Sequence, residues 1–357
     1  MNAEFWKGKR VFLTGHTGFK GSWLSIWLQS LGADLTGYAL PPPTSPNLFE
    51  VAHVGQGMTS IMADIRDLPK LQKAMQAACP DIVIHMAAQP LVRLSYAEPI
   101  ETYATNIMGT VNVLESVRNT PSVKAVLVVT TDKCYENKED VFRAYQEHDP
   151  MGGHDPYSSS KACTELVTSA YRSSFLQEQG VAVATARAGN VIGGGDWAAD
   201  RLVPDILKSF EQNVVVQIRN PQATRPWQHV LEPLSGYLTL IEHLFTTGSD
   251  FSEGWNFGPY EEDTRPVQWI VEQLGLNWGK DASWLKDAGK HPHEANYLKL
   301  DISKAMTRLE WRPTWNLANA LENIAHWHRA WLAKEDMKKI CLDQILQYSI
   351  AMQTKEI

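Results

Sequence analysis

A chain of 357 residues, 44% hydrophobic and 20% charged, is long enough for about two domains and too apolar to be disordered, collagen-like or a simple coiled coil. Its formal charge of −7 argues against a general affinity for nucleic acid or acidic membranes. No apolar run reaches the roughly 18 residues of a membrane span, no secretory pattern opens the chain, and Cys79, Cys134, Cys163 and Cys341 form neither a CxxC nor a zinc spacing, so reduced thiols and a cytoplasmic location are expected.

In chain order, Arg10–Thr14 (RVFLT) reads as a buried parallel strand. A glycine loop follows at 15–21, then a helix over 22–31 with Trp23, Ile26 and Trp27 on its apolar stripe. A second strand over 35–40 stops at Pro41-Pro42-Pro43. Further strands are predicted at 60–63, 81–86, 124–130 and 181–186, separated by helices at 68–78, 102–118 and 157–179. Regular alternation of this kind builds βαβ units, so the expected fold is α/β: a Rossmann-like, doubly wound parallel sheet.

Beyond Gly189 the pattern loosens, and Gly193-Gly194-Gly195 marks a break. Helical runs at 202–210, 233–245, 266–274 and 317–332 with brief strands between them predict a smaller mixed α/β domain for substrate. Ten of the 13 tryptophans lie in this part; Trp269, Trp311, Trp327 and Trp331 are expected to form its core, and Trp227 to shape a nucleotide pocket. The expected division gives residues 1–190 plus about 228–258 to the sheet domain, and about 191–227 plus 259–357 to the other.

Three motifs carry chemistry. Gly15-His16-Thr17-Gly18-Phe19-Lys20-Gly21 is a GxxGxxG loop between a strand and a helix. Its glycines let the backbone approach a pyrophosphate, and the helix N-terminus offers free N–H groups. The ribose test leaves NAD against NADP open: Asp34 precedes the second strand, and Tyr38-Ala39-Leu40 at its far end holds neither acid nor arginine. Tyr157 and Lys161 form a YxxxK pair on one helix face, where a lysine cation stabilises a phenolate. Thr130-Thr131-Asp132-Lys133 closes the fifth strand, at the edge where open α/β sheets bind ligands.

Together with His85-Met86-Ala87-Ala88-Gln89 and Asn106, these motifs resemble the extended short-chain dehydrogenase/reductases from about Lys9 to about Asp301. Thr131-Asp132-Lys133 resembles the active-site triplet of the nucleotide-sugar 4,6-dehydratases within that family. The stretch 38–50 and Arg225-Pro226-Trp227-Gln228-His229-Val230 resemble the branch acting on CDP-glucose. The resemblance implies a tightly held NAD, regenerated in each turnover, on Gly15, Thr17, Gly18, Phe19, Gly21, Asp64, Ile65, Ala87, Ala88, Gln89, Asn106, Tyr157 and Lys161. It implies Thr131, Asp132, Lys133, Tyr157 and Lys161 as catalytic residues. Tyr157 takes the C4 hydroxyl proton as hydride leaves C4, Lys161 lowers the Tyr157 pKa, and Thr131 bonds the C4 oxygen. Water then leaves across C5 and C6, and hydride returns to C6. The product, CDP-4-keto-6-deoxyglucose, would feed deoxysugar and lipopolysaccharide synthesis.

The third triplet position departs from the dTDP-glucose enzymes, which carry glutamate where this chain has Lys133. Either Lys133 is a base of lowered pKa with Asp132 as the acid, or it only steadies an enolate. Gln89, Asn190, Arg201, Arg219, Arg225, His229, Asn256 and His293 are the candidate substrate contacts; Arg suits diphosphate oxygens bidentately. His291 and His293 lack a partnering Cys or acidic cluster, so no metal is expected. The resemblance also implies a homodimer pairing helices 97–118 and 157–179 across a two-fold axis, with a tetramer left open. The rival readings are a nucleotide-sugar 4-epimerase, which would not need Asp132-Lys133, a dehydratase of another NDP-hexose, and a non-catalytic NAD-binding regulator, which would usually lack the Tyr157/Lys161 pair.

Overall fold

The computed structural model describes residues 2–138, 140, 143–279, 283–287, 289 and 297–354. Seven strands form one parallel sheet: β1 (Arg10–Thr14), β2 (Asp34–Ala39), β3 (Thr59–Met62), β4 (Ile82–His85), β5 (Ala125–Val129), β6 (Ala182–Ala188) and β7 (Gly254–Phe257). Their spatial order is β7-β6-β5-β4-β1-β2-β3, the reversal between β1 and β4 giving a doubly wound sheet. β5 and β6 are buried along their whole length, which is why they read as unbroken apolar runs. Alternating side chains divide the core. Val11, Leu13, Ile84 and Leu127 pack on one face with Trp23 and Trp27, and Phe12, Val83, Val126 and Val183 pack on the other.

The helices include α1 (Phe19–Ser30), α2 (Leu68–Ala78), α3 (Gly109–Arg118), α4 (Pro156–Tyr171), α5 (Leu202–Gln212), α6 (Leu231–Thr247), α7 (Val267–Trp278), α8 (Leu317–Leu332) and α9 (Met337–Thr354). α1 begins earlier than its apolar stripe because Gly18, in extended conformation, is its N-cap. The run expected as one helix over 102–118 is broken by a π turn at Ala104–Met108, and the run after Tyr157 by another at Arg172–Leu176.

A third core joins Ile206, Phe210, Ile218, Trp227, Ile270 and Ile324, from the chain segments that follow β6. Trp327 and Trp311 are buried, and Trp197 meets Trp327 and Trp331 edge-on at 5.6 and 5.0 Å. Helix α9 was not expected from the sequence. Met337, Ile340, Cys341, Ile345 and Tyr348 bury one stripe, but exposed Leu346 and Ile350 blur the pattern. Its Tyr348 meets Trp27 of α1 edge-on at 5.8 Å and Trp315 at 5.2 Å, and Cys341 accepts from Trp327 of α8, so this last segment packs between α1 and α8. No described helix is long and apolar enough to cross a membrane.

Candidate functional site

A cleft of about 930 Å³ opens at the C-terminal ends of β5 and β6, beside the start of α1. The loop after β1 is closed by near backbone approach. Gly15 has φ +80°, and a Cβ there would stand 2.7 Å from the Ala87 nitrogen; at Gly21 it would stand 2.0 Å from the Gly15 carbonyl oxygen. Gly18 caps α1 without a side-chain hydrogen bond, leaving the first N–H groups of the helix for an anion. Thr17 ties the loop to the Leu40 carbonyl at 2.8 Å. Thr14 Oγ1 meets His85 Nδ1 at 2.7 Å and accepts the Met86 and Ala87 N–H groups, locking the loops after β1 and β4 together. Burial and nearby Lys161 push the His85 pKa down to about 3, so the ring is a neutral strut. These features fit a dinucleotide's pyrophosphate.

The π turn directs Asn106 onto the loop after β4. Its carboxamide pairs with the Gln89 backbone at 2.8 and 3.1 Å and donates to Ser160 at 2.8 Å. Ser160 and Tyr157 lie on the first turns of α4, which Asp155 caps by accepting the Ser158 N–H at 2.9 Å. Tyr157 is 8% exposed and lines the cleft with Thr131, Asp132 and Lys133. Burial pushes its phenol up to about 12, against its hydrogen bond with Thr131. Lys161 donates to the Val129 carbonyl at 3.2 Å, and burial lowers its amine to about 8. Thr131 donates its hydroxyl proton to Asp132 Oδ1 at 2.9 Å, while the buried Asp132 Oδ2 has no hydrogen-bond partner among the described residues. The cleft thus gathers a phenol, a hydroxyl, a carboxylate and two amines: donors and acceptors for proton transfer beside an anion-binding loop.

Behind this group lies a network that the sequence reading did not single out. Glu165 accepts from Thr130 at 2.5 Å, from Thr185 at 2.6 Å and from the Arg187 guanidinium at 2.9 and 2.8 Å. Burial opposes its charge, but Arg187 and these hydrogen bonds hold the carboxyl below its ordinary range. Glu165 stands four residues beyond Lys161 and eight beyond Tyr157, a helical spacing that marks all three for one face. Lys20, in the first turn of α1, was also missed. It lines the cleft, and its Nζ lies 3.2 Å from the phenol oxygen of Tyr237.

Of the expected substrate residues, Asn190, Arg201, Arg219 and Arg225 line the same cleft, with Trp227. The Asn190 Nδ2 is buried there without a hydrogen-bond partner among the described residues. Arg201 is paired with Asp196 at 2.8 Å.

Two residues expected at the cleft are placed elsewhere. His229 is fully buried between Trp23 and Trp315, because the chain enters α6 directly after it. Asn256 is fully buried on β7, accepting from Tyr135 at 2.7 Å and donating to the Tyr145 and Asp301 carbonyls. Gln89 spends its side chain locally, on Leu91 and Thr102. Asp64 is held by Arg66 at 2.5 Å, and Ile65 fills the space over Gly109. Ala87 and Ala88 sit in the loop after β4. Asp34 pairs in register with Arg10, at the end of β2 away from the cleft. His291 and His293 lie outside the described residues, among which no cluster could hold a metal ion.

The model of the family described as GDP-mannose 4,6 dehydratase matches residues 12–324. A CDP-glucose 4,6-dehydratase of Salmonella typhimurium is 56% identical over 356 residues, covering 98% of this chain and 99% of that one. The human dTDP-D-glucose 4,6-dehydratase is 25% identical, covering 90% of each chain. Among solved structures, a UDP-glucose 4-epimerase of Thermotoga maritima superposes with a TM-score of 0.80 at 21% identity, covering 90% of this chain and 99% of that one. A dTDP-glucose 4,6-dehydratase of Streptomyces venezuelae, solved with NAD and TYD bound, superposes with 0.78 at 22% identity, covering 92% and 99%. Epimerases and dehydratases share this fold, so the side chains of the cleft must separate them.

Proposed function

We propose an activity from one premise: the chain belongs to the GDP-mannose 4,6-dehydratase family, within the extended short-chain dehydrogenase/reductases. It is a hydro-lyase that converts CDP-D-glucose to CDP-4-keto-6-deoxy-D-glucose with NAD as cofactor. The observation that carries this reading is the grouping of Thr131, Asp132, Lys133 and Tyr157 on one cleft wall. A 4-epimerase needs the phenol but not the acid–base pair after the threonine.

The uncapped N-terminus of α1 and its glycines would hold the pyrophosphate of NAD, with Lys161 toward the nicotinamide ribose. When bound, NAD accepts a hydride from sugar C4 and returns it to C6. Tyr157 takes the C4 hydroxyl proton; burial opposes its ionisation, while its hydrogen bond with Thr131 and the charge of Arg201 favour it. Thr131 bonds the C4 oxygen. The 4-ketone acidifies C5–H, and Asp132 would protonate the departing C6 hydroxyl, a role supported by its buried Oδ2, which has no hydrogen-bond partner among the described residues. Lys133 takes the C5 proton or steadies the enolate. Asn190, Arg225, Arg219 and Arg201 serve the CDP group.

Incubation with CDP-, dTDP-, UDP- and GDP-glucose, read by the alkali-induced ultraviolet absorbance of a 4-keto sugar, tests the reading. Turnover of CDP-glucose is expected. A 4-epimer as product would replace it with the epimerase, and NAD binding without turnover of any sugar would favour a regulator. Lys133→Ala followed by solvent deuterium entry at C5 separates the two roles of Lys133: unimpaired exchange removes the base.

The protein acts in the cytoplasm, a reading supported by the free thiols of Cys79, Cys134, Cys163 and Cys341. It assembles as a homodimer. Ile100, Met108 and Leu166, exposed by 84%, 53% and 60%, support pairing through this helical face, and sedimentation of Leu166→Glu as a monomer is the expected check.

A further inference from the structure

Tyr157, Lys161 and Glu165 form one row along α4, four residues apart. The row meets three consecutive residues where β5 ends. Tyr157 is hydrogen-bonded with Thr131, Lys161 donates to the Val129 carbonyl at 3.2 Å, and Glu165 accepts the Thr130 hydroxyl at 2.5 Å. Thr130 is the joint between the sheet and the catalytic turn. Its N–H still pairs with β6, donating to the Ala186 carbonyl at 2.8 Å, and the next residue, Thr131, opens the short turn Asp132–Cys134. Glu165 is anchored on β6 as well, through Thr185 at 2.6 Å and Arg187 at 2.9 and 2.8 Å. Four donors thus converge on two oxygens. A carboxylate accepts them all, whereas a carboxamide has one acceptor oxygen and would turn an NH2 group toward donors. Glu165 is not part of the cleft wall, so it acts through these neighbours.

We propose that Glu165 is a positioning residue for the oxidation at C4: by fixing Thr130 against β6 it sets the register of α4 on β5, and with it the approach of the Tyr157 phenol and the Thr131 hydroxyl to one sugar oxygen. The inference rests on the dehydratase reading above. A slip of one residue along β5 is about 3.3 Å, enough to part those two groups. A displacement of about 1 Å already costs about 10²-fold in rate. A carboxylate that only supported the fold would change how many subunits are competent and leave the rate of each competent subunit alone.

Single turnovers separate these cases. With the full-length, NAD-saturated protein in excess over CDP-glucose, the rate constant of 4-keto sugar formation describes competent subunits, whatever fraction is idle. Glu165→Gln is expected to lower that rate constant by about 10²-fold, with KM for CDP-glucose in steady state little changed. Thr130→Val removes the same link and is expected to slow turnover by a similar factor, while Thr130→Ser keeps the hydroxyl and recovers the rate. The double variant Glu165→Gln/Thr130→Val should be no slower than the slower single, because both break one link. Substrate deuterated at C4 is expected to slow Glu165→Gln at least as much as wild type, since departure of hydride is the step that suffers. A wild-type rate constant in Glu165→Gln would overturn the role, as would one in Thr130→Val should Glu165→Gln not fold. A slow Thr130→Val that Thr130→Ser does not rescue, or a C4 isotope effect abolished in Glu165→Gln, would overturn it too. Wild type that makes no 4-keto sugar from CDP-glucose would remove the dehydratase reading itself.

Discussion

Glu165 and Arg187, 6% and 5% exposed, place a charge pair directly beneath the catalytic turn. Every Glu165 oxygen is used, so removing one partner strands the other. Glu165→Ala is expected to destabilise the protein by about 3–5 kcal/mol in urea unfolding, and Arg187→Met by a similar amount. The double variant should fall well short of their sum, because the two sites share one network. Chemistry and scaffolding separate at Tyr157. Its phenol faces the cleft, so Tyr157→Phe is expected to fold as wild type while kcat drops by about 10²–10⁴ with CDP-glucose affinity little changed.

Among the elements, the π turn at Ala104–Met108 is the one that aims a functional side chain without itself lining the cleft. Asn106→Ala would leave the buried Gln89 N–H unpaired, a loss of about 1–3 kcal/mol, and should loosen dinucleotide binding measured by fluorescence titration of NADH. Nothing in residues 102–118 announces this turn. A wider hydrogen-bonding loop has no composition of its own, so the run reads as one continuous helix. The first six strands of the sheet were legible within a residue or two because Val, Ile and Leu runs such as AVLVV have little other use, whereas the seventh, Gly254–Phe257, has no such run. Gly15, Tyr157 and Lys161 were legible because their chemistry depends on fixed local spacing. His229 and Asn256 were not: whether they face the cleft or the core is decided by where α6 and β7 pack, information distributed over distant segments. Lys20 was hidden for the opposite reason, since the glycines around it accounted for the loop without it.

For the molecule as a whole, three neutral histidines set the acid limit. Burial lowers His16 to about 4, His85 to about 3 and His229 to about 3, from an ordinary 6.5. The unfolded chain takes up these protons below pH 6.5 and the folded one does not. The stability is therefore full above 6.5 and is lost as pH falls toward 4, at up to about 1.4 kcal/mol per pH unit for each ring. Melting temperatures between pH 7.5 and 5 should trace this decline. His229→Phe, which keeps an aromatic ring between Trp23 and Trp315, should flatten it. The contact of Tyr348 with Trp27 bears on a different matter, the order in which the chain is made. A ribosome that has delivered β1 through β6 has not yet made the strand that borders β6 or the helix that covers Trp27. From the end of β6 at Ala188 the indole surface of α1 must still wait for α9, which begins only at Met337. A stop between α4 and α9 would therefore release a chain with its cofactor loop and catalytic residues already encoded and the Trp27 surface of α1 still open to aggregation.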